Sequence, residues 1–346
     1  MELGVHVGHW RAEPFDIIAV AREAERLGYG CIWASEAWSS DAATVLAWVA
    51  AHTERIGVGA GVFQMPARTP AMTAMTAATL DHLSRGRFRL GLGTTGPGVS
   101  EGWHGIAFRD PIGRTREYVE VVRRVLGRLE PVTFAGEHYR LPPADGTGSA
   151  PALKLGVRPL RPDLPIYLGA MGERNVGLAA EIADGWMPLL FAPERADVFA
   201  DALTRGFERR GGRPRHFDVA PMVWVAIGQD LDRCRDAVRP EIALYVGGMG
   251  PASRNFYNRL VTRMGFERAA ARIADAYLGG RRSEAVASVP DELIDAVALV
   301  GPVDRVRGRL RALRDAGVTT VVARTIDPEQ LRALAEARGL PKNDPG

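Results

Sequence analysis

Glycine-rich turns and a few acids and histidines hold most of the chemistry this sequence offers. The run Leu168-Gly-Ala-Met-Gly-Glu-Arg-Asn-Val176 places Gly169, Ala170, Met171 and Gly172 just ahead of a segment that opens a helix. Free N–H groups at a helix start, with the helix dipole behind them, bind phosphate, and glycine lets the backbone come close. Those four residues are candidate cofactor contacts; the plainer reading is a tight strand-to-helix turn. The spacing matches neither a Walker loop nor a dinucleotide fingerprint. A second stretch, Thr94 to Gly105, is long, rich in Gly and Pro, and carries Glu101, Trp103 and His104. Such a loop suits a cofactor wall or lid. His104 leads as proton donor because histidine titrates near neutrality. Glu101 and His9 follow, and each has a purely structural alternative. Trp10 and Trp103 offer flat faces to a ring or substrate. Tyr245, Asn255, Phe256 and Tyr257 either roof a substrate pocket or pack an insertion.

These residues must be held by regular elements, and the apolar pattern supplies them. Short apolar runs at 3–7, 31–34, 56–63 and 88–93 alternate with helical stripes at 15–27, 42–52, 70–83 and 115–129. Ile17, Ile18, Ala21, Ala24 and Leu27, for example, share one helical face. Pro70 opens its helix where a missing N–H costs nothing. Residues 131–164 break the rhythm with many Pro and Gly and read as an excursion, not a new domain. The alternation resumes with strands at 166–169, 186–190, 219–227 and 318–323 and helices at 175–183, 194–210, 234–245, 303–313 and 328–338. A second insertion at about 246–300 should hold two or three short helices. Eight strands in one chain favour a single closed α/β TIM barrel, (β/α)8, over an open doubly wound sheet. In such barrels the site lies at the C-terminal strand ends. That places His9, Trp10, Glu36, Gly61, Val62, Gln64, Thr94 and the 169–172 turn on the functional face. The tail 342–346 should fray.

The run Thr79-Leu-Asp-His-Leu-Ser-Arg-Gly-Arg-Phe-Arg-Leu-Gly-Leu-Gly93 resembles the helix-to-strand signature of the luciferase-like superfamily. Pro165 to Gly172, Leu178 to Trp186, Gly247 to Gly250 and Asn255 to Asn258 extend the likeness to a mycobacterial-type subgroup of coenzyme F-420-dependent oxidoreductases. The first signature is shared with flavin monooxygenases; the later motifs are more specific, and together they span nearly the whole chain. The resemblance implies a luciferase-like barrel and hydride transfer with the deazaflavin F-420. It also implies an acid near the coenzyme at Glu36, and a strand-three bulge with a non-prolyl cis peptide behind the ring, where Gly61–Val62 stand. Relatives often carry Ser in the turn that here holds Ala170 and Met171, so the amides must do more. Sugar-phosphate dehydrogenases of the superfamily follow the acid with a His base; here Ala37 follows. The expected direction is therefore reduction of a small organic acceptor by reduced F-420. An FMN-dependent monooxygenase and a non-catalytic cofactor-binding barrel are the alternatives. Members often form homodimers.

Composition narrows the field. Of 346 residues, 46% are hydrophobic and 25% charged, as in ordinary globular chains. The net charge is +3, carried almost wholly by dispersed arginines, and no aromatic-basic stripe marks a nucleic-acid surface. Lys154 and Lys342 are the two lysines, a bias of GC-rich genomes such as those of actinobacteria. The two cysteines, Cys31 and Cys234, form no metal-binding or C-x-x-C pattern, so no metal site is expected and a reducing compartment fits. No run is long enough to span a membrane and no signal peptide is read at the N-terminus. The expectation is a cytoplasmic enzyme.

Overall fold

The computed structural model describes residues 1–10, 13–250 and 255–339. The chain opens with β1 (Glu2–Gly8), α1 (Ile17–Arg26), β2 (Cys31–Ala34), α2 (Ala42–Ala51), β3 (Gly57–Ala60), β4 (Phe63–Gln64), α3 (Pro70–Leu83) and β5 (Phe88–Gly93). Next come α4 (Pro97–Gly102), α5 (Pro111–Gly127), β6 (Phe134–Ala135), β7 (Arg140–Leu141), β8 (Ile166–Gly169), α6 (Glu173–Ile182), β9 (Gly185–Met187), α7 (Asp197–Arg210) and β10 (Asp218–Val219). The last part holds β11 (Met222–Ile227), α8 (Leu231–Gly248), α9 (Phe256–Val261), α10 (Glu267–Leu278), α11 (Arg282–Ala287), α12 (Asp291–Val297), β12 (Ala298–Gly301), α13 (Val303–Asp315), β13 (Thr320–Arg324) and α14 (Pro328–Arg338).

The strands curl into one parallel sheet in which β1 lies between β13 and β2. Closure runs through residues 218–227. On one side Ala220 and Met222 donate to the carbonyls of Trp186 and Pro188; on the other, Thr319 and Val322 donate to those of Val219 and Pro221. β10 and β11 thus act as one stave, and eight staves make a (β/α)8 barrel. β12 is a ninth strand, paired in register with Trp224–Ile227 of β11. It was not expected, because its four apolar residues continue without a turn signal from the helical pattern of α12. The second insertion holds four helices, α9 to α12, where two or three were expected. The first insertion carries the small β6–β7 hairpin. The expected tail at 342–346 lies outside the described residues.

Alternate strand residues point inward. Trp33 and Tyr167 meet edge-to-face at 5.1 Å in the barrel interior, with Cys31, Met187, Ala220 and Val322 around them. A Cβ on Gly59 would stand 2.3 Å from the Trp33 ring, so only glycine fits beside the indole. The barrel interior is thereby filled below the strand ends. The opposite strand faces (Leu3, Val5, Ile32, Val58 and Leu90) bury against the helices. No helix among the described residues is long and apolar enough to cross a membrane.

Candidate active site

The third stave breaks where it reaches the mouth. β3 ends at Ala60, the Gly61–Val62 peptide is cis, and β4 resumes beside β5 through Phe63 and Gln64. The Val62 side chain packs against the interior cluster over a bed of glycines. A Cβ on Gly93 would lie 2.6 Å from Val62 Cγ2, and one on Gly169 would lie 3.3 Å from Val62 Cγ1. The glycines at the ends of β5 and β8 therefore make room for the bulge.

One wall of the mouth is a connected polar brace. Glu36, just past β2, accepts from the Gln64 amide N–H (3.0 Å) and from Ala42 (3.3 Å), and pairs with Arg68 (2.6 Å). Arg68 also reaches Asp41, the residue that caps α2 through Thr44. Glu36 therefore ties β2 to β4 through protein partners. The Gln64 side-chain amide donates to the Glu36 carbonyl (3.1 Å), which turns its Oε1 toward His104 Nε2 at 2.8 Å. An amide with its nitrogen so engaged presents an acceptor, so His104 Nε2 carries a hydrogen and donates. His104 hangs from the Thr94–Gly105 loop, which α4 shapes: Ser100 is buried and bonds both ways to Ile106. Glu101 is exposed and accepts from the Phe108 N–H (3.0 Å), within its own loop. Trp103 is 64% exposed. Thr94 caps the end of β5 and bonds only weakly to Thr95 (3.3 Å).

The other wall, on β1, β11 and β13, is built differently. His6 is buried and its Nε2 donates to the Gly61 carbonyl at 3.0 Å. Burial first, then the Arg324 charge, lowers its pKa to about 3, so the ring is neutral and Nδ1 is a bare acceptor. Arg324 faces both His6 and Trp224 across the sheet in register. The side-chain atoms His6 Nδ1, Trp10 Nε1, Trp224 Nε1 and Arg324 Nε are all buried and make no hydrogen bond among the described residues. The Trp10 backbone is pinned to Ser40 (3.0 Å) and accepts from Ser39. His9 lies close enough to His6 to act on its charge. His6, Trp224 and Arg324 escaped the sequence reading because their side chains sit within strands, among apolar neighbours. Period-two alternation is the signal that could have found them.

The 169–172 turn meets the mouth from a third side. α6 starts at Gly172 with no side-chain cap; α7 and α13 also lack one, but α6 alone of these three follows the strand-end turn at 169–172. Its first N–H groups thus have no side-chain partner. The Trp186 indole donates to the Ala170 carbonyl at 2.7 Å and fixes the turn, while Met171 is half-buried against the core. The Phe256 ring approaches to 3.5 Å from where a Gly172 Cβ would stand, so the start of α9 lies over this turn. A groove of about 710 Å³ elsewhere runs along α5 and is lined by Arg116, Glu120, Arg124 and Leu129. It holds none of the strand-end residues. Among the described residues no group of His, Cys, Asp or Glu is arranged to hold a metal ion.

A closed (β/α)8 barrel, with an uncapped helix start and a bulged, glycine-bedded strand end at its mouth, defines a cofactor-binding barrel. The chain belongs to the luciferase-like monooxygenase family, whose family model matches residues 3–320. It is 43% identical, over 97% of its length and 98% of the relative's, to a Mycobacterium tuberculosis protein named as a coenzyme F-420-dependent oxidoreductase. It is 30% identical to the 5,10-methylenetetrahydromethanopterin reductase of Archaeoglobus fulgidus, over 90% of each chain. The solved coenzyme F-420-dependent tetrahydromethanopterin reductase of Methanopyrus kandleri superposes with a TM-score of 0.79 at 26% identity, covering 96% of both chains.

Proposed function

We propose that the protein is a coenzyme F-420-dependent oxidoreductase that works as a reductase on a small organic acceptor, with the whole chain as one catalytic unit in the cytoplasm. The observation that carries this reading is the tie from His104 to Gln64, two residues beyond the Gly61–Val62 bulge. It brings a titratable group beside the strand end that would back a ring. The 43% identity to a relative named for F-420 favours the deazaflavin over FMN.

The residues fit such a coenzyme. The uncapped amides of α6, with Gly169, Ala170, Met171 and Gly172, hold its phosphate; Val62 and Thr94 flank its ring. Glu36 and Gln64 keep the bulge in place. The deazaflavin supplies hydride, having carbon where a flavin has its central ring nitrogen, and it reacts poorly with oxygen. His104 holds the proton that the reduced acceptor takes up, with Glu101 and His9 behind it. Gln64 Oε1 stabilises the Nε2–H form that remains when the Nδ1 proton leaves. Trp10 and Phe256 flank the acceptor, and Trp103, exposed on its loop, is the further ring that would contact it. Ala37 cannot titrate, so alcohol oxidation lacks the base it needs at that position.

Titration of the purified protein with F-420 and with FMN tests the reading. F-420 should bind at micromolar concentration or tighter, and FMN more weakly. Equal or tighter FMN binding with oxygen-dependent turnover would establish the monooxygenase instead. Tight binding without turnover across a broad acceptor panel would leave a cofactor-holding barrel.

A homodimer is part of the same proposal. α2 carries no charge, and α3 has only Asp81 and His82. Trp48, Met72, Met75 and Leu83 are exposed on these neighbouring helices. A helix apolar on all sides needs a cover, and a second copy supplies one. Sedimentation should give a dimer that Met75→Arg splits; a native monomer removes this part of the proposal.

A further inference from the structure

We infer that Arg324 is the anchor for a carboxylate on the acceptor, and that the acceptor is an anion on an apolar body. The inference rests on the reductase reading for its meaning but on separate residues. A guanidinium has five N–H donors and stays charged in proteins. A charge taken out of water is normally paired and hydrogen-bonded. Arg324 meets that rule only in part. Its side chain is only 16% exposed, yet its one hydrogen bond among the described residues goes to a neutral group, the Tyr245 hydroxyl, at 3.2 Å. The nearest carboxylate, Glu241, stands 3.8 Å away, beyond hydrogen-bond reach. Arg324 Nε is buried and has no partner among the described residues.

Position turns this shortage into a site. Arg324 ends β13 on the inner wall of the mouth, in register with His6, whose ring bonds the Gly61 carbonyl. Arg324 thus lies one residue from the bulge that would back the coenzyme. Arg324 lies against the rings of both Trp224 (5.2 Å) and Tyr245 (5.3 Å), which meet edge-to-face at 5.5 Å, and Tyr257 packs edge-on to Tyr245 at 5.0 Å. These ring contacts hold the guanidinium while one donor is engaged by Tyr245, which leaves others for two-point recognition of a carboxylate. His6 is neutral, so it does not compete for the anion. Glu241 offsets the charge from 3.8 Å, and a ligand carboxylate takes the hydrogen-bonding distance that Glu241 does not reach. The aromatic rings favour an alkyl or aryl body on that ligand.

The test uses hexanoate and benzoate, each against its own amide, titrated into the purified full-length protein. Tryptophan fluorescence reports binding, since Trp224 lies beside the guanidinium, and calorimetry checks it. Both carboxylates should bind at least about tenfold more tightly than the amides. Arg324→Met should abolish the preference, and Arg324→Lys, which keeps the charge, should retain part of it. Circular dichroism confirms that each variant is folded, and the lysine variant decides the matter if methionine does not fold. Equal affinity for acid and amide, no carboxylate binding at millimolar concentration, or an unchanged preference in the folded variants overturns the inference. F-420 is titrated into the same samples. Carboxylate preference without F-420 binding keeps the anchor and removes the coenzyme reading; F-420 binding without the preference does the reverse.

Discussion

The two walls of the barrel mouth use polar groups in opposite ways. On the β2–β4 side, Glu36, Gln64, Arg68 and His104 form a chain in which each member has a protein partner. On the β1–β11–β13 side, His6, Trp224 and Arg324 each keep a buried polar atom that no described residue satisfies. Satisfied networks hold a shape, because loss of one member strands the others. Unsatisfied buried groups cost stability and persist where a ligand completes them. The first wall is built to hold its shape; the second is where we propose that a ligand is received.

The sharpest way to break this contrast is to cut the brace. Glu36 and Arg68 are nearly buried, with side-chain exposures of 6% and 13%, and removing one partner of such a pair strands the other charge. Glu36→Ala should lower the unfolding free energy by about 3 kcal/mol in denaturant titrations. A loss close to zero would mean that the brace holds nothing.

The proton-carrying end of the brace comes next. His104→Ala should lower turnover by about 10²-fold or more while coenzyme affinity barely moves. Full activity in that variant would move the proton donor to Glu101, His9 or water.

On the receiving wall the expected signature is pH-dependent. His6 is held neutral in the fold, with its pKa lowered from 6.5 to about 3. The unfolded chain binds that proton near pH 6.5 and the folded chain does not. Stability should therefore fall as pH drops from about 6.5 toward 3, by up to about 1.4 kcal/mol per pH unit from this group. His6→Gln removes the titration, so its stability should decline less steeply than the native protein's between pH 7 and pH 5. Parallel declines in thermal or urea melts would place the acid sensitivity elsewhere.

The smallest effect is the most pointed. Replacing a buried, poorly satisfied charge with an apolar side chain is often neutral or stabilising. Arg324→Met should keep its unfolding free energy within about 1 kcal/mol of native, or raise it. A loss as large as that of Glu36→Ala would erase the distinction between the walls.

Much of this protein was determined by local pattern alone. The alternation of apolar runs and helical stripes was enough for eight staves and a closed barrel, because period and chirality leave few ways to pack that order. The glycine-rich turn at 169–172 and the long loop carrying His104 were legible from composition. The cis peptide expected at Gly61–Val62 from the family likeness is present. Other features exist only once the sheet has curled. Nothing near Gln64 in the chain points to His104, forty residues away, and their bond depends on β4 and β5 lying side by side. Strand β12 needs the open upper half of β11 as its partner. Arg324 reads in sequence as the polar end of an apolar strand. Only the register of three staves that the sequence separates by hundreds of residues sets it between Trp224 and His6. Periodicity is a property of neighbours along the chain, and so it survives in the sequence. Whether a buried donor meets an acceptor depends on contacts made across the barrel, and only the tertiary structure decides it.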